Sequence, residues 1–446
     1  MSKNNPFLTG TLILTLAGFL SRFIGFFYRA FLSHAFGEEG MGIYQLLSPV
    51  MALSFSLTAA GIQTAISKFT AAETTTHDYK TSLHVLGSGF LISMPLSAFC
   101  TWLIYQHSEF IAIRFLMEPR CAQLLRIFAL SIPFCAIHSL INGYFYGVKQ
   151  TSVPALTQII EQLARVGSVY LIYHSFASKG QMPGIGCAVV GLTIGECVST
   201  LLSLTAAFFR FSRLQTLYPP RKPVRHPASQ NMTGKIFALA APLTLSRLAV
   251  NLLQSIEAVS IPNCLIQHGF SQSQALSVYG VLTGMALPLI FFPGALVNSA
   301  CVLLLPIVSE ADETGRRDTI FRVVKKSVLY CTLFGSLCTA GFLIFGNLAG
   351  MLLFKSQMAG SFIVTLSFIC PLLYLSGALS SILHGLGKTG ITFIFNVISL
   401  IIRLLFVFLL IPSTGIQGYL YGLLFSQLIT ALFNILAVKY YLQRQN

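Results

Sequence analysis

The chain has 446 residues, 54% of them hydrophobic and only 9% charged, with a formal net charge of +15. A soluble domain carries about 25% charged residues, so this composition, with its mean hydropathy of +0.75, excludes an ordinary soluble fold. The surplus Lys and Arg lie mostly between apolar runs, where they orient a membrane chain and do not mark a nucleic-acid surface.

Apolar runs of membrane length recur along the chain, each long enough to cross a hydrocarbon core of about 30 Å. About twelve are expected, near 7–33, 41–66, 82–106, 121–146, 152–176, 184–210, 236–261, 276–307, 324–347, 360–385, 389–411 and 416–441. They do not alternate as barrel strands do, so the spans are helices. Between the sixth and seventh lies a basic, proline-rich stretch containing Pro219-Pro220-Arg221-Lys222-Pro223. The expected organisation is an N-terminal six-helix bundle over 1–210, a basic cytoplasmic linker over 211–234 and a C-terminal six-helix bundle over 235–446. Lys68, Lys80, Lys149, the linker, Arg316, Arg317, Lys325, Lys326, Lys388 and Lys439 share one side; Arg114, Arg120, Lys179 and Lys355 share the other. The positive-inside rule then places both termini in the cytoplasm, with the linker near anionic headgroups.

The two halves repeat. Leu20-Ser21-Arg22 recurs as Leu245-Ser246-Arg247 after 225 residues. At a shift of 238, Gly147 falls on Gly385 and Arg165 on Arg403; at a shift of 231, Gly191 to Glu196 resembles Gly422 to Gln427. Six spans per half give both copies the same sense in the membrane, so the repeats are parallel and a substrate site is expected in a cavity between them.

The residues that carry chemistry lie within the spans. An arginine at bilayer depth costs roughly 2.5–3.5 kcal/mol on insertion scales and is a functional candidate by default. Arg22 and Arg29 stand two turns apart on one helix face, and Arg247, Asn251 and Gln254 form a polar stripe with Glu257 a turn further on. Arg403 has no acid near it in sequence, whereas Glu161 and Arg165 form an i, i+4 pair. Deep bases (Arg22, Arg126, Arg165, Arg247, Arg403) outnumber deep acids (Glu161, Glu196, Glu257). That balance favours an anion, since guanidinium stays charged when buried and binds phosphate bidentately. Arg22, Arg29, Arg247, Arg403, Asn251 and Gln254 are therefore the candidate substrate-binding groups. Glu257, Glu161, Arg165 and Glu196 are candidates for charge balance or cation coupling. Snorkelling of Arg29 to a span end, and a purely structural Glu161–Arg165 pair, are equally open readings.

Other signals lead nowhere. Gly387-Lys388-Thr389 lacks the first glycine and the preceding strand of a phosphate-binding loop. The nine His form no H-E-x-x-H, and neither a catalytic residue nor a metal site is expected. His138, with Asn142 one turn on, reads as a structural histidine more simply than as a proton relay. The ten Cys read as small packing residues. No cofactor is called for; a coupling cation, Na+ or H+, stays open.

Three stretches carry a family resemblance: Ser21-Arg22-Phe23-Ile24-Gly25-Phe26-Phe27-Tyr28-Arg29, Gly42-Ile43-Tyr44-Gln45-Leu46, and Gly61-Ile62-Gln63-Thr64-Ala65-Ile66-Ser67-Lys68. So do Pro242-Leu243-Thr244-Leu245-Ser246-Arg247 and Tyr279-Gly280-Val281-Leu282-Thr283-Gly284. The chain resembles the stage V sporulation protein B-like and MurJ-like members of the multidrug/oligosaccharidyl-lipid/polysaccharide (MOP) exporter superfamily. The resemblance implies an all-α polytopic fold of two six-helix bundles around a central cavity, and transport by alternating access. It implies an undecaprenyl-diphosphate-linked saccharide as substrate, with Arg22 and Arg29 toward the diphosphate, as in the opening helix of MurJ-like flippases. Those flippases have about fourteen spans, the last two helping to form a lipid-tail groove, and with about twelve spans expected here the resemblance leaves such a groove open. The reading is thus a monomeric flippase of the bacterial cytoplasmic membrane, not an enzyme, whose partners are a lipid-linked oligosaccharide and membrane lipids. The alternative is a cation-coupled multidrug exporter, which would depend on Glu257 or Glu196.

Overall fold

A computed structural model of the chain describes residues 6–74, 79–217 and 231–444. Every regular element among them is a helix. Eight helices are long and apolar enough to cross a membrane, or ten if the bent pairs Cys121–Ala129 with Ser131–Gly147 and Gln357–Leu366 with Ile369–Gly385 each make one span. The continuous run Leu12–Ala72 covers two of the expected spans. It breaks at Gly37, whose φ of 69° and ψ of −176° lie where L side chains rarely go. The expected fifth span is the helix Ser152–Ala177. All twelve expected runs therefore fall on helices. Of the expected linker, the first residues extend the helix Gly186–Leu217 and the last begin the helix Met232–Gln267. Residues 218–230 lie outside the described residues.

The chain packs as two compact units, one of Met1–Gly25 and Leu46–Ser255, the other of Phe26–Gln45 and Ile256–Asn446. Packing therefore divides the chain inside two helices, Pro6–Leu46 and Met232–Gln267, the opening helices of the two repeats. In the first unit, Ile62, Ile66, Leu140, Ile141, Tyr144 and Phe145 form a core with Ile236 and Ala240 of Met232–Gln267. Gly61 lets that helix approach closely: a Cβ there would stand 2.8 Å from the Ala240 carbonyl oxygen. In the second unit, the tail of Pro6–Leu46 is pinned in the same manner. Ser33 Oγ donates to the Phe354 carbonyl at 2.9 Å, Ser273 Oγ donates to Glu39 Oε2 at 2.7 Å, and Ser356 Oγ donates to Glu38. Each unit thus contains helical turns that belong, by sequence, to the other repeat.

The repeat extends to local distortions. A π-helical segment, Ser56–Ala60, lies in the first unit and another, Val281–Ala286, in the second. Their starts are 225 residues apart, the offset of the Leu-Ser-Arg tripeptides. Such segments are rare and often sit at functional positions, so two at one offset are duplicated features. The matched glycines also do matched work. A Cβ at Gly147 would stand 2.8 Å from the Ser67 carbonyl oxygen, and one at Gly385 2.9 Å from that of Leu305. Membrane helices associate through such small-residue contacts because lipid supplies no hydrophobic drive between them. Gly147→Ala is accordingly expected to destabilise by about 1–3 kcal/mol through overpacking. Gly167→Ala, where the Cβ meets open space, should stabilise by up to about 1 kcal/mol through helix propensity. Thermal unfolding of the two purified variants checks the opposite signs.

Candidate functional site

Arg22 lies one turn before Gly25 on the first helix, in the first unit. Gly25 lets Gln162 of Ser152–Ala177 approach, for a Cβ there would stand 3.1 Å from Gln162 Nε2. Residues three apart share a helix face, so Arg22 projects from the side of its helix that meets Ser152–Ala177. It is exposed and has no hydrogen-bond or ion-pair partner among the described residues. Arg247, also in the first unit, is exposed too, and its Nη2 reaches only Thr64 Oγ1 at 3.5 Å. Neither arginine meets a carboxylate among the described residues. Asn251 is engaged otherwise: its Nδ2 donates to Ser56 Oγ at 2.6 Å and to the Ala52 carbonyl at 3.2 Å, fastening Met232–Gln267 to the π-helical segment. Gln254 is exposed. Arg29 is half-buried and groups with the second unit, away from Arg22 along the same helix.

The remaining deep charges form two ion clusters, one in each unit. In the first, Arg165 Nη2 lies 2.6 Å from Glu161 Oε1 and 3.7 Å from Glu196 Oε1. His138 Nδ1 stands 3.2 Å from the other oxygen of Glu196. In the second, Arg403 Nε lies 3.2 Å from Glu257 Oε1, which also accepts a hydrogen bond from the Tyr419 hydroxyl at 2.8 Å. Arg165 and Arg403, matched at the shift of 238, each neutralise acid, but the acids differ. Glu161 sits on the arginine's own helix, whereas Glu257 comes from Met232–Gln267. The i, i+4 pair was visible in the sequence. The partner of Arg403, the hydroxyl of Tyr419 and the approach of His138 to Glu196 were not, because no local spacing links residues on separate helices. The polar stripe that began at Arg247 also ends sooner than expected. Glu257 belongs to the second unit, while Arg247, Asn251 and Gln254 belong to the first.

Two expectations change. Arg126 is not a deep base: its Nη2 pairs with exposed Glu109 at 2.8 Å and its Nε with Ser108 Oγ at 2.9 Å, just past the end of the helix Tyr79–Gln106. The structure also brings Cys135, His138 and Glu196 together, with one potential metal-ligating atom from each within 4.8 Å of the others. The sequence offered no metal pattern at these positions.

Each deep acid thus has an arginine, while Arg22 and Arg247 have no acid among the described residues. Residues 7–312 match the profile of the polysaccharide biosynthesis protein family. The chain belongs to that family. It is 28% identical over 419 residues to stage V sporulation protein B of Bacillus subtilis (strain 168), covering 92% of this chain and 79% of that protein. It is 21% identical over 462 residues to the lipid II flippase MurJ of the same organism, covering 98% of this chain and 83% of that one. Among solved structures, an inward-facing MATE family multidrug resistance transporter of the MOP superfamily superposes with a TM-score of 0.75 at 15% identity, covering 98% of both chains. Lipid II flippase MurJ in an inward closed conformation superposes with a TM-score of 0.72 at 15% identity, covering 96% of this chain and 87% of that one. This family member is therefore a multi-pass membrane protein with the MOP transporter fold. Its relatives of known activity are transporters and flippases, not enzymes.

Proposed function

We propose that the protein is a flippase that moves an undecaprenyl-diphosphate-linked saccharide from the inner to the outer leaflet of the bacterial cytoplasmic membrane by alternating access, with both termini in the cytoplasm. The observation that carries this reading is the pair Arg22 and Arg247, exposed in one unit and opposed by no carboxylate among the described residues. A lone guanidinium at membrane depth invites an anion, and a diphosphate matches its planar donors. Arg403, held by Glu257, serves charge balance in this scheme instead of binding substrate. Relatedness to a lipid II flippase and membership of a polysaccharide biosynthesis family support the substrate class. No covalent step is needed, because the two access states need only differ in affinity and energy.

The test is flipping of a fluorescent lipid-linked saccharide in vesicles containing the purified protein. Arg22→Ala and Arg247→Ala are each expected to reduce flipping to background at normal protein levels. Lysine at either position keeps the charge without the bidentate fork, so it should restore only part of the rate. Full activity in both alanine variants would remove the assignment.

A further inference from the structure

We propose that Cys135, His138 and Glu196 form a binding site for a transition-metal dication of the zinc class, separate from the open arginines. Cys135 and His138 are one turn apart on the helix Ser131–Gly147, so both project from one face. Glu196 comes from Gly186–Leu217, and the register of these two helices is fixed beside the site. There Thr200 Oγ1, one turn beyond Glu196, donates to the carbonyl of Phe134, the residue before Cys135, at 2.7 Å. The three ligand atoms arrive on regular helices, not on loops, which is how a precise site is built.

Two details point to an ion. His138 and Glu196 are each 9% exposed, and Nδ1 of one lies 3.2 Å from Oε2 of the other. The two atoms face each other as an ion pair, but no well-aligned hydrogen bond joins them among the described residues. Buried polar atoms are ordinarily satisfied. A nitrogen and a carboxylate oxygen bound to one tetrahedral zinc, at about 2.0–2.2 Å each, stand about 3.3 Å apart. The observed spacing, which is also that of an imidazole–carboxylate ion pair, accommodates two ligands of one metal without rearrangement, and the Cys135 sulfur needs to close in by about 1 Å to reach its own bonding distance. The Glu196 carboxylate is already divided between two tasks. Oε1 faces Arg165 and Oε2 faces His138, so the arginine orients the ligand from behind as outer partners of metal sites do.

Charge counting agrees. Glu161 and Glu196 face a single Arg165, which leaves one negative charge in a low-dielectric place. A dication bound with a Cys135 thiolate brings the whole cluster to neutrality. Sulfur together with imidazole selects zinc-like ions over Na+, Mg2+ or Ca2+. The site is also particular to the first repeat: at the shift of 238, Cys135 falls on Leu373 and His138 on Ser376. The second unit folds without these ligands, so the fold itself does not require them.

Cobalt(II) titration of the metal-stripped, full-length protein in detergent tests the site. One equivalent should produce the visible bands of tetrahedral cobalt and an ultraviolet thiolate-to-cobalt band. Cys135→Ser should abolish the thiolate band, and His138→Ala or Glu196→Gln should weaken cobalt binding at least tenfold. Absence of the thiolate band in the unmodified protein, or its survival in Cys135→Ser, overturns the proposal. Zinc X-ray absorption on the zinc-loaded protein needs no variant. A shell with one sulfur at about 2.3 Å supports the site, and a shell of nitrogen and oxygen alone overturns it.

Discussion

Arg403→Ala is expected to lower the stability of the purified protein by about 3–5 kcal/mol, the cost of leaving one partner of a buried ion pair uncompensated. Glu257 is buried, and its Oε1 depends on Arg403 for charge and on Tyr419 for a hydrogen bond. With the guanidinium gone, the hydroxyl alone faces a carboxylate that water reaches poorly. For a protein of this size, with about 2.1 cal/mol/K of unfolding entropy per residue, the midpoint of thermal unfolding should fall by roughly 3–5 °C. Adding Glu257→Gln in the same chain should recover most of the loss, because the amide is neutral and still accepts from Tyr419. The double-mutant cycle then isolates the pair from the packing of the arginine stem. An unchanged midpoint in Arg403→Ala would show that the pair is solvated and not structural.

Arg165→Ala should be worse. One guanidinium there serves two carboxylates, Glu161 at 2.6 Å and Glu196 at 3.7 Å. Its removal leaves two like charges facing each other inside the first unit, with repulsion added to desolvation. The expected loss exceeds that of Arg403→Ala and should show as reduced membrane yield as well as a lower midpoint. The pattern of rescue also differs. Glu161→Gln should restore more of Arg165→Ala than Glu196→Gln does, since the Glu196 left behind keeps His138 at 3.2 Å whereas the Glu161 left behind has lost its arginine, and the two together should restore the most. Glu161→Gln by itself should cost little, because it leaves one acid for one arginine. Full rescue by Glu196→Gln would show that Glu161 is uncharged in the folded protein.

The transmembrane architecture was largely legible because a span announces itself by length and apolarity alone. The repeat was legible because the tripeptides at Arg22 and Arg247 and the glycines at 147 and 385 are local signals. The candidate site was legible only in its components. Periodicity tells which residues share a helix face and says nothing of which helices adjoin, so Arg403 looked unpaired and was counted toward substrate binding. The partner that neutralises it, Glu257, was assigned to a stripe shared with Arg247. Likewise His138 was read beside Asn142 on its own helix, and neither Cys135 one turn before it nor Glu196 on another helix was linked to it. The boundary between packing units was hidden for a related reason. A duplicated sequence suggests two self-contained halves, and nothing in its local pattern reveals that the opening helix of each copy is shared with the other copy's unit, the first ending in it and the second beginning in it.

That exchange sets a timetable for biogenesis. Residues 26–45 leave the ribosome early, but Phe354, Ser273 and Ser356, which receive their polar groups, are synthesised more than half a chain later. At roughly 5–20 residues per second, the interval is on the order of tens of seconds. During that time Ser33, Glu38 and Glu39 must be kept by water, lipid headgroups or the insertion machinery. The first unit is likewise incomplete until translation has passed Ser255. Neither unit is a finished folding product when the first half of the chain has been made, so quality control of this protein acts on the whole chain.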